Sequence, residues 1–429
     1  MAIPLLLPFT QLNRLDEQHP LQPIDPDIEL LCYCVRMTVD RATEQKIQDR
    51  VNQDINWEKL LQLASRHRVL PLLFQTLNAT CPESVPAEIQ AELNRNFQVT
   101  ALNNLLLTQE LLKLLKNFDR HHIPVIPYKG VVLAASIYQN LGLRQFADID
   151  LWAAPEDRTQ VTHRLQEMGY ELTKDLDWEC DFTNPQTGVT IDLHWHLMPA
   201  HFHFGMTFED VRSRLQPIQL ADSTVLHFAP EDLFILLCVQ FGKDCCTSQQ
   251  LRLAQICDIS ELLNRTTHLD WDWIFNEAKS LGMERLIRLS LHVVDQLLAT
   301  PLTQQVCEWR DRELHLADLT QQAIQKLWNQ PPLSPEQSIG FGFWATLWSY
   351  DHRFYLRMRE RVRDRVVYVQ IWCSTILKLL VTPNERDYAK ITLPKGFEIL
   401  YSPLHIMRVM AENTPDLFKR LLKILNRSK

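Results

Sequence analysis

Two short runs with strand periodicity constrain this chain more than anything else in its 429 residues: ADIDLW at 147–152 and VTIDLHWHL at 189–197. A strand sends alternate side chains to opposite faces. The first run therefore sets Asp148 and Asp150 on one face, and Ile149 and Leu151 on the other. The second run sets Val189, Ile191, Leu193 and Trp195 on an apolar face, with Thr190, Asp192, His194 and His196 on a polar one. If the two runs are neighbours in one sheet, three carboxylates come together. Such a cluster is a poor way to stabilise a core, because each group is desolvated and each raises the pKa of its neighbours. It makes sense around divalent cations. Hard oxygen ligands at this density suit Mg²⁺, which binds through a few carboxylates and takes part of its shell from phosphates. A nucleoside triphosphate would complete that shell.

The segments around these runs fit a small sheet. In HHIPVIPYKG (121–130), Ile123, Val125 and Ile126 form a short strand, and Pro124 and Pro127 place it at an edge or a strand end. After the Lys129-Gly130 turn, VVLAASIYQNLG predicts a helix ending near Gly142. A strand, a glycine turn and a helix N-terminus can hold phosphate on backbone N–H groups, and Lys129 adds a positive charge. Arg144 is expected either to neutralise Asp148 or Asp150 or to meet a substrate phosphate. Residues 156–169 predict a helix ending at Gly169, and Tyr170 to Leu172 begin another strand. Turn signals at Asn184-Pro185 and Thr187-Gly188 then make a hairpin into VTIDLHWHL.

On both sides the pattern is helical. From Asp27 to about Phe118, apolar residues recur at three- and four-residue steps, with Asp54 and Asn56 as caps and a long leucine-rich helix over roughly Ala87 to Asn117. Pro230-Glu231-Asp232 starts another helix that carries Gln240, Gly242 and Lys243, and amphipathic segments follow over 271–330 and 340–382. Lys243 is a candidate phosphate contact. Asp258, on the next helix, is a cap or a salt-bridge partner. Residues 1–26 read as a proline-rich arm and 331–342 as a linker.

With 46% hydrophobic and 22% charged residues the chain has room for two or three ordinary globular domains. Its ten cysteines show no paired C-x-x-C spacing and read as reduced thiols of a cytoplasmic protein. The opening MAIPLLLPF lacks a basic segment and is broken by Pro4 and Pro8, so no secretory signal is expected. The apolar run Val366 to Val381 contains Gln370 and Lys378 and is too short for a comfortable membrane span. The net charge of −8 divides unevenly: residues 351–429 carry 16 Lys and Arg against 8 Asp and Glu. The tail is basic and the body acidic. An acidic body disfavours a large nucleic acid as partner unless the tail docks it, and a solvated helix face accounts for the tail's charge as well.

The order of these features, KG before a helix, R-x-x-x-DIDL, a helix ending in Gly-Tyr and a hairpin strand IDLHW, resembles the nucleotidyltransferase superfamily that includes DNA polymerase beta. It is most similar to the bacterial branch described as uncharacterised nucleotidyltransferase. The flanking NWEKLLQLASRHRVLPLLF, ICDISELL, DWDWIF and DYAKITLP share in the likeness. The resemblance implies an α+β fold, a small mixed β-sheet core flanked by N-terminal and C-terminal helical regions. The expected division is an arm and helical region at 1–118, the α/β core at 119–228, a helical domain at 229–330, and a linker with a basic helical region at 331–429.

It also implies transfer of a nucleoside monophosphate from an NTP to a hydroxyl acceptor on a small molecule, a peptide or a protein, with release of pyrophosphate. Asp148 and Asp150 would ligate two Mg²⁺ ions, or Mn²⁺, and Asp192 would complete the site and help deprotonate the acceptor. Lys129, Gly130, Arg144 and Lys243 would surround the phosphates. The wider superfamily has Gly-Ser or Gly-Gly where this chain has Lys129-Gly130.

Two other functions are compatible with the residues. His194, His196, His201 and His203 form two H-x-H pairs that could bind zinc in a hydrolase. Alternatively, the fold could serve as an inactive binding module. Retention of all three aspartates argues against decay, because carboxylates are costly to keep together.

Overall fold

The computed structural model describes residues 25–247, 251–266, 268–313, 316–329, 350–382, 401–405 and 407. The expected arm at 1–26 lies outside them except for its last two residues, and the expected linker and the DYAKITLP segment lie wholly outside. Four helices open the described chain: α1 (Pro26–Cys34), α2 (Arg41–Val51), α3 (Trp57–Arg66) and α4 (Leu70–Thr80). Each of the first three starts where a side chain accepts an otherwise unpaired N–H. Asp25 accepts from Asp27, Asp40 from Thr43, and Asn56 from Lys59. Helix α5 then runs unbroken from Ala87 to Arg120.

The sheet follows. Its strands are β1 (Val125–Pro127), β2 (Asp148–Ala153), β3 (Glu171–Asp175), β4 (Glu179–Thr183) and β5 (Thr190–His194), in the spatial order β1-β2-β5-β4-β3. Strand β1 is an edge, as its prolines require, and is antiparallel to β2. Strands β2 and β5 are parallel neighbours, while β5, β4 and β3 form an antiparallel meander. The crossover from β2 carries helix α7 (Arg158–Glu167). The sheet is therefore mixed and small, and the architecture is α+β.

Alternation along the strands divides the sheet cleanly. Ile149, Leu151, Cys180, Phe182, Ile191 and Leu193 point to one side and are buried against Leu107, Leu111, Leu114 and Phe118 of α5 and Val161 and Leu165 of α7. Fully burying each large apolar side chain contributes about 1.5–3 kcal/mol, which fixes the register, since a slip of one residue would turn the aspartates inward. The opposite face is divided. Ile126, Tyr128 and Trp152 join a second core, in which Trp152 stacks on Phe228 with centroids 5.7 Å apart. That core is made by α1–α4 together with α9 (Pro230–Cys245), α10 (Leu253–Arg265), α11 (Trp271–Leu281), α12 (Glu284–Leu298) and later helices. A short helix, α8 (Phe208–Arg212), and a separate hairpin, β6 (Gln216–Leu220) and β7 (Ser223–His227), precede α9.

The helix expected to end near Gly142 is shorter. Helix α6 spans Gly130–Ser136, and a separate 3₁₀ turn covers Leu141–Leu143. Gln139 takes a left-handed conformation (φ 53°), which breaks the helix, and the Asn140 side chain then accepts the Gly142 N–H to start the next turn. Gly142 serves close packing instead of helix termination: a Cβ there would stand 3.0 Å from Phe97 and 3.3 Å from Ala101 of α5. Among the described residues, no helix is long and apolar enough to cross a membrane.

Candidate active site

The parallel register sets Asp150 directly opposite Asp192, and Asp148 opposite Thr190. On the other side of β5, Asp192 faces Asp181 of β4 and His194 faces Glu179. Three strands thus carry an aspartate at the same level, Asp150, Asp192 and Asp181, and Lys174 of β3 closes the row beside Asp181. Lys174 reaches Glu179 at 2.6 Å and Asp181 at 3.6 Å. At the other end, Lys129 Nζ lies 3.2 Å from Asp150 Oδ1 and 4.8 Å from the Tyr128 ring centroid. Asp192, in the middle, has no such partner.

The electrostatics follow this arrangement. Burial, with Asp150, Asp148 and Asp181 beside it, pushes the Asp192 carboxyl up to about 8, against only a weak pull from Lys129. Burial also raises Asp150, although Lys129 pulls the other way. The Lys129 ammonium is itself held above its ordinary range, because Asp150 and Asp148 outweigh its desolvation. The site therefore has more negative charge than its lysines can balance.

Unpaired polar atoms converge here too. The buried hydroxyl of Tyr128 and both ring nitrogens of His194 make no hydrogen bond within the protein. His194 Nε2 is 3.8 Å from Asp150 Oδ1, and Nδ1 is 3.7 Å from Glu179 Oε2. Burial and the surrounding Lys129, Lys243 and Lys174 hold the imidazole neutral, well below its usual range. One ligand atom from each of Asp150, Asp192 and His194 lies within 4.8 Å of the others, which suits a metal ion. Surplus carboxylate charge and unsatisfied donors in one spot are what a divalent cation and its phosphate partner would relieve.

The turn before α6 is held tightly against this row. Lys129 has φ 58°, a region costly for a residue with a side chain. Gly130 follows at φ +33°, with space for a Cβ only 3.5 Å from the Asp148 carbonyl. Lys243 on α9 lies 5.9 Å from the Trp178 ring centroid, and Trp178 in turn lies 5.4 Å from His194. Lys243 also contacts Asp244 at 3.3 Å.

A model of the family described as uncharacterised nucleotidyltransferase matches residues 53–299, more than half of the chain. The chain belongs to this nucleotidyltransferase family. The match takes in the sheet, α5 and the helices through α12. No curated protein matches.

Several solved structures resemble parts of this nucleotidyltransferase. The lincosamide antibiotic adenylyltransferase LnuA bound to lincomycin is 16% identical over 37% of this chain and 97% of its own, with a TM-score of 0.29. The antibiotic-resistance factor ANT(2'')-Ia is 13% identical over 41% of this chain and 93% of its own, at a TM-score of 0.33. A nucleotidyltransferase-like protein from Paracoccidioides brasiliensis is 14% identical over 49% of this chain and 94% of its own, at 0.29. Likenesses this distant say nothing about substrate.

Two expectations are corrected by the geometry. Arg144 pairs with neither Asp148 nor Asp150. Its Nε and Nη2 bind Asp258 at 2.9–3.2 Å, and Tyr138 donates to the same carboxylate at 2.8 Å. The planar guanidinium matches a carboxylate in two places, and the α10 aspartate is buried where that match is possible. The histidines do not converge either. His196 and His203 are exposed, and His201 packs on Tyr350 and Trp372. Strand β5 stops at His194, so the alternation that would align His196 with it ends two residues too soon. Among the described residues only His194 joins a metal-compatible cluster.

Asp181, Glu179 and Lys174 escape a reading that stops at the two runs of the opening. The signal for Glu179 and Asp181 is present in the Glu-Cys-Asp-Phe alternation at 179–182, which matches that of β5.

Proposed function

We propose that this chain transfers a nucleoside monophosphate from an NTP to a hydroxyl group in a Mg²⁺-dependent reaction. The observation that carries this reading is the side-by-side placement of Asp150 and Asp192 on adjacent parallel strands, with excess negative charge that the neighbouring lysines leave unbalanced. Asp150 and Asp192 would hold the ions, with Asp148 two residues along the same strand face. Divalent ions held there would supply Lewis acidity, lowering the pKa of the attacking hydroxyl and neutralising charge on the triphosphate and pyrophosphate. Lys129, at the turn with Gly130, and Lys243, across the site on α9, would meet phosphate oxygens. Asp192 helps take the acceptor proton. Arg144 is committed to Asp258 and braces the sheet against α10, which keeps the phosphate side of the site in position. The acceptor is a hydroxyl on a small molecule, a peptide or a protein.

The test is a thermal-unfolding screen with each of the four NTPs, with and without Mg²⁺, followed by pyrophosphate release on addition of cell extract. At least one NTP should raise the midpoint only when Mg²⁺ is present. If none does, the fold serves as a binding module and not as a transferase.

A further inference from the structure

We infer that the metal site is a mixed nitrogen and oxygen site, with Nε2 of His194 as a direct ligand beside Asp150 and Asp192 and with Glu179 holding the ring from its far side. The inference rests on the proposed function only in requiring a divalent ion in this place. A core histidine is ordinarily satisfied by at least one hydrogen bond, since an unpaired buried polar group costs about 1–3 kcal/mol. His194 is 4% exposed and neither ring nitrogen is bonded. Both nitrogens nevertheless face carboxylates: Nε2 towards Asp150 at 3.8 Å and Nδ1 towards Glu179 at 3.7 Å.

A neutral imidazole has one N–H and one lone pair. Glu179 already accepts from Lys174 through Oε1, and its Oε2 is the acceptor nearest the Nδ1 hydrogen. That leaves the Nε2 lone pair aimed at Asp150, where two acceptors face each other. A cation between them turns that repulsion into coordination. The arrangement of carboxylate, histidine and metal is a recurrent way of fixing an imidazole ligand.

The spacing also fits. Two ligands bonded to one ion at about 2.1 Å stand between about 3 and 4.2 Å apart, depending on whether they are adjacent or opposite. The three ligand atoms here lie within 4.8 Å of one another, so closing on an ion takes a shift of at most about an ångström by each. A nitrogen ligand also alters selectivity. Mg²⁺ prefers oxygen throughout, whereas later divalent metals gain from imidazole. The site should therefore favour Mn²⁺ over Mg²⁺ more than a purely carboxylate site would.

The experiment uses the full chain stripped of metal with chelator, then loaded with Mn²⁺ alone. Pulsed electron paramagnetic resonance should show imidazole ¹⁴N coupling to Mn²⁺ in the unmodified protein, a measurement that needs no variant. Calorimetric titration should show His194→Gln losing about tenfold in Mn²⁺ affinity and under threefold in Mg²⁺ affinity. Glu179→Gln keeps the coupling but weakens Mn²⁺ about tenfold, in the range typical for lost outer partners. Mn²⁺ bound without ¹⁴N coupling, or an unchanged Mn²⁺ to Mg²⁺ ratio in His194→Gln, would overturn the assignment. Coupling without pyrophosphate release under any NTP would instead remove the transferase reading and leave the ligand set standing.

Discussion

Replacing Asp192 with asparagine should stabilise the metal-free protein while destroying its response to divalent cations. In the native state the Asp192 carboxyl is pushed up to about 8, against an ordinary value of 3.8. Between those values the folded chain holds a proton that the unfolded chain has released, so stability falls as pH rises across the window. The favourable contribution is complete below 3.8 and lost as pH climbs towards 8. At pH 7 the part of the window already crossed, from 3.8 to 7, corresponds to about 4 kcal/mol, at 1.36 kcal/mol per pH unit. Asp192 is only half-buried, and solvent screening reduces the realistic share to about 1–2 kcal/mol. Asparagine is nearly isosteric and carries no charge, so the variant should gain that amount at pH 7 and almost nothing at pH 4. Urea unfolding in EDTA at pH 4, 5, 6, 7 and 8 measures it. Other raised acids, among them Asp150, also slope with pH, and the difference between the two proteins isolates Asp192. Adding Mg²⁺ at pH 7 should stabilise the unmodified protein with release of protons and leave the variant unmoved. Parallel pH profiles for the two proteins would refute the reasoning, because they would mean that Asp192 ionises without strain in the fold.

Asp148→Ala should abolish transfer with stability unchanged or slightly raised, since it removes a repelling charge and breaks no ion pair; pyrophosphate release and a melting curve check both halves. Asp150→Ala should abolish transfer equally but cost about 1–2 kcal/mol, because it leaves Lys129 half-buried beside Tyr128 without its counter-charge; a melting midpoint above that of the unmodified protein would contradict the pairing. Arg144→Met should destabilise by about 3–5 kcal/mol, the usual cost of stranding one member of a buried pair, here Asp258. The double variant Arg144→Met with Asp258→Leu should recover much of that loss in urea unfolding. A loss confined to activity would place Arg144 at the phosphates after all.

The parts of this fold that were legible in the sequence are those written in local periodicity. Alternation in ADIDLW and VTIDLHWHL gives the face of each side chain without any knowledge of the partner strand, because an apolar side must be buried. Caps such as Asn56 and the edge prolines of β1 are equally local. What depends on pairing was not legible. Nothing within either run sets Asp150, instead of Asp148, opposite Asp192; that register is decided by the α7 crossover and the hairpin of β4 and β5. Arg144 finds its partner more than a hundred positions later, on a helix whose approach depends on the whole second core. His194 and His196 share a face only while the strand lasts, and the strand ends between them.

The graded burial of the acidic row follows from the same long-range packing. Tyr128 and Trp152 lie at the end of the sheet face that the helical core covers, and Phe228, just before α9, seals that end. Asp150 is therefore buried and has drawn in a lysine, while Asp192, one strand further out, stays half-open and unpaired. Under the proposed function, a cation approaching from solvent would meet the least compensated carboxylate first. It would reach Asp150 and His194 by moving inward, where desolvation would strengthen each contact. Were Lys129 paired with Asp192 instead, the outer position would be neutral and the inner one would hold an uncompensated buried charge that few folds could support. The observed order, lysine beside the buried Asp150 and none beside the more open Asp192, leaves an uncompensated carboxylate where the proposed cation would enter.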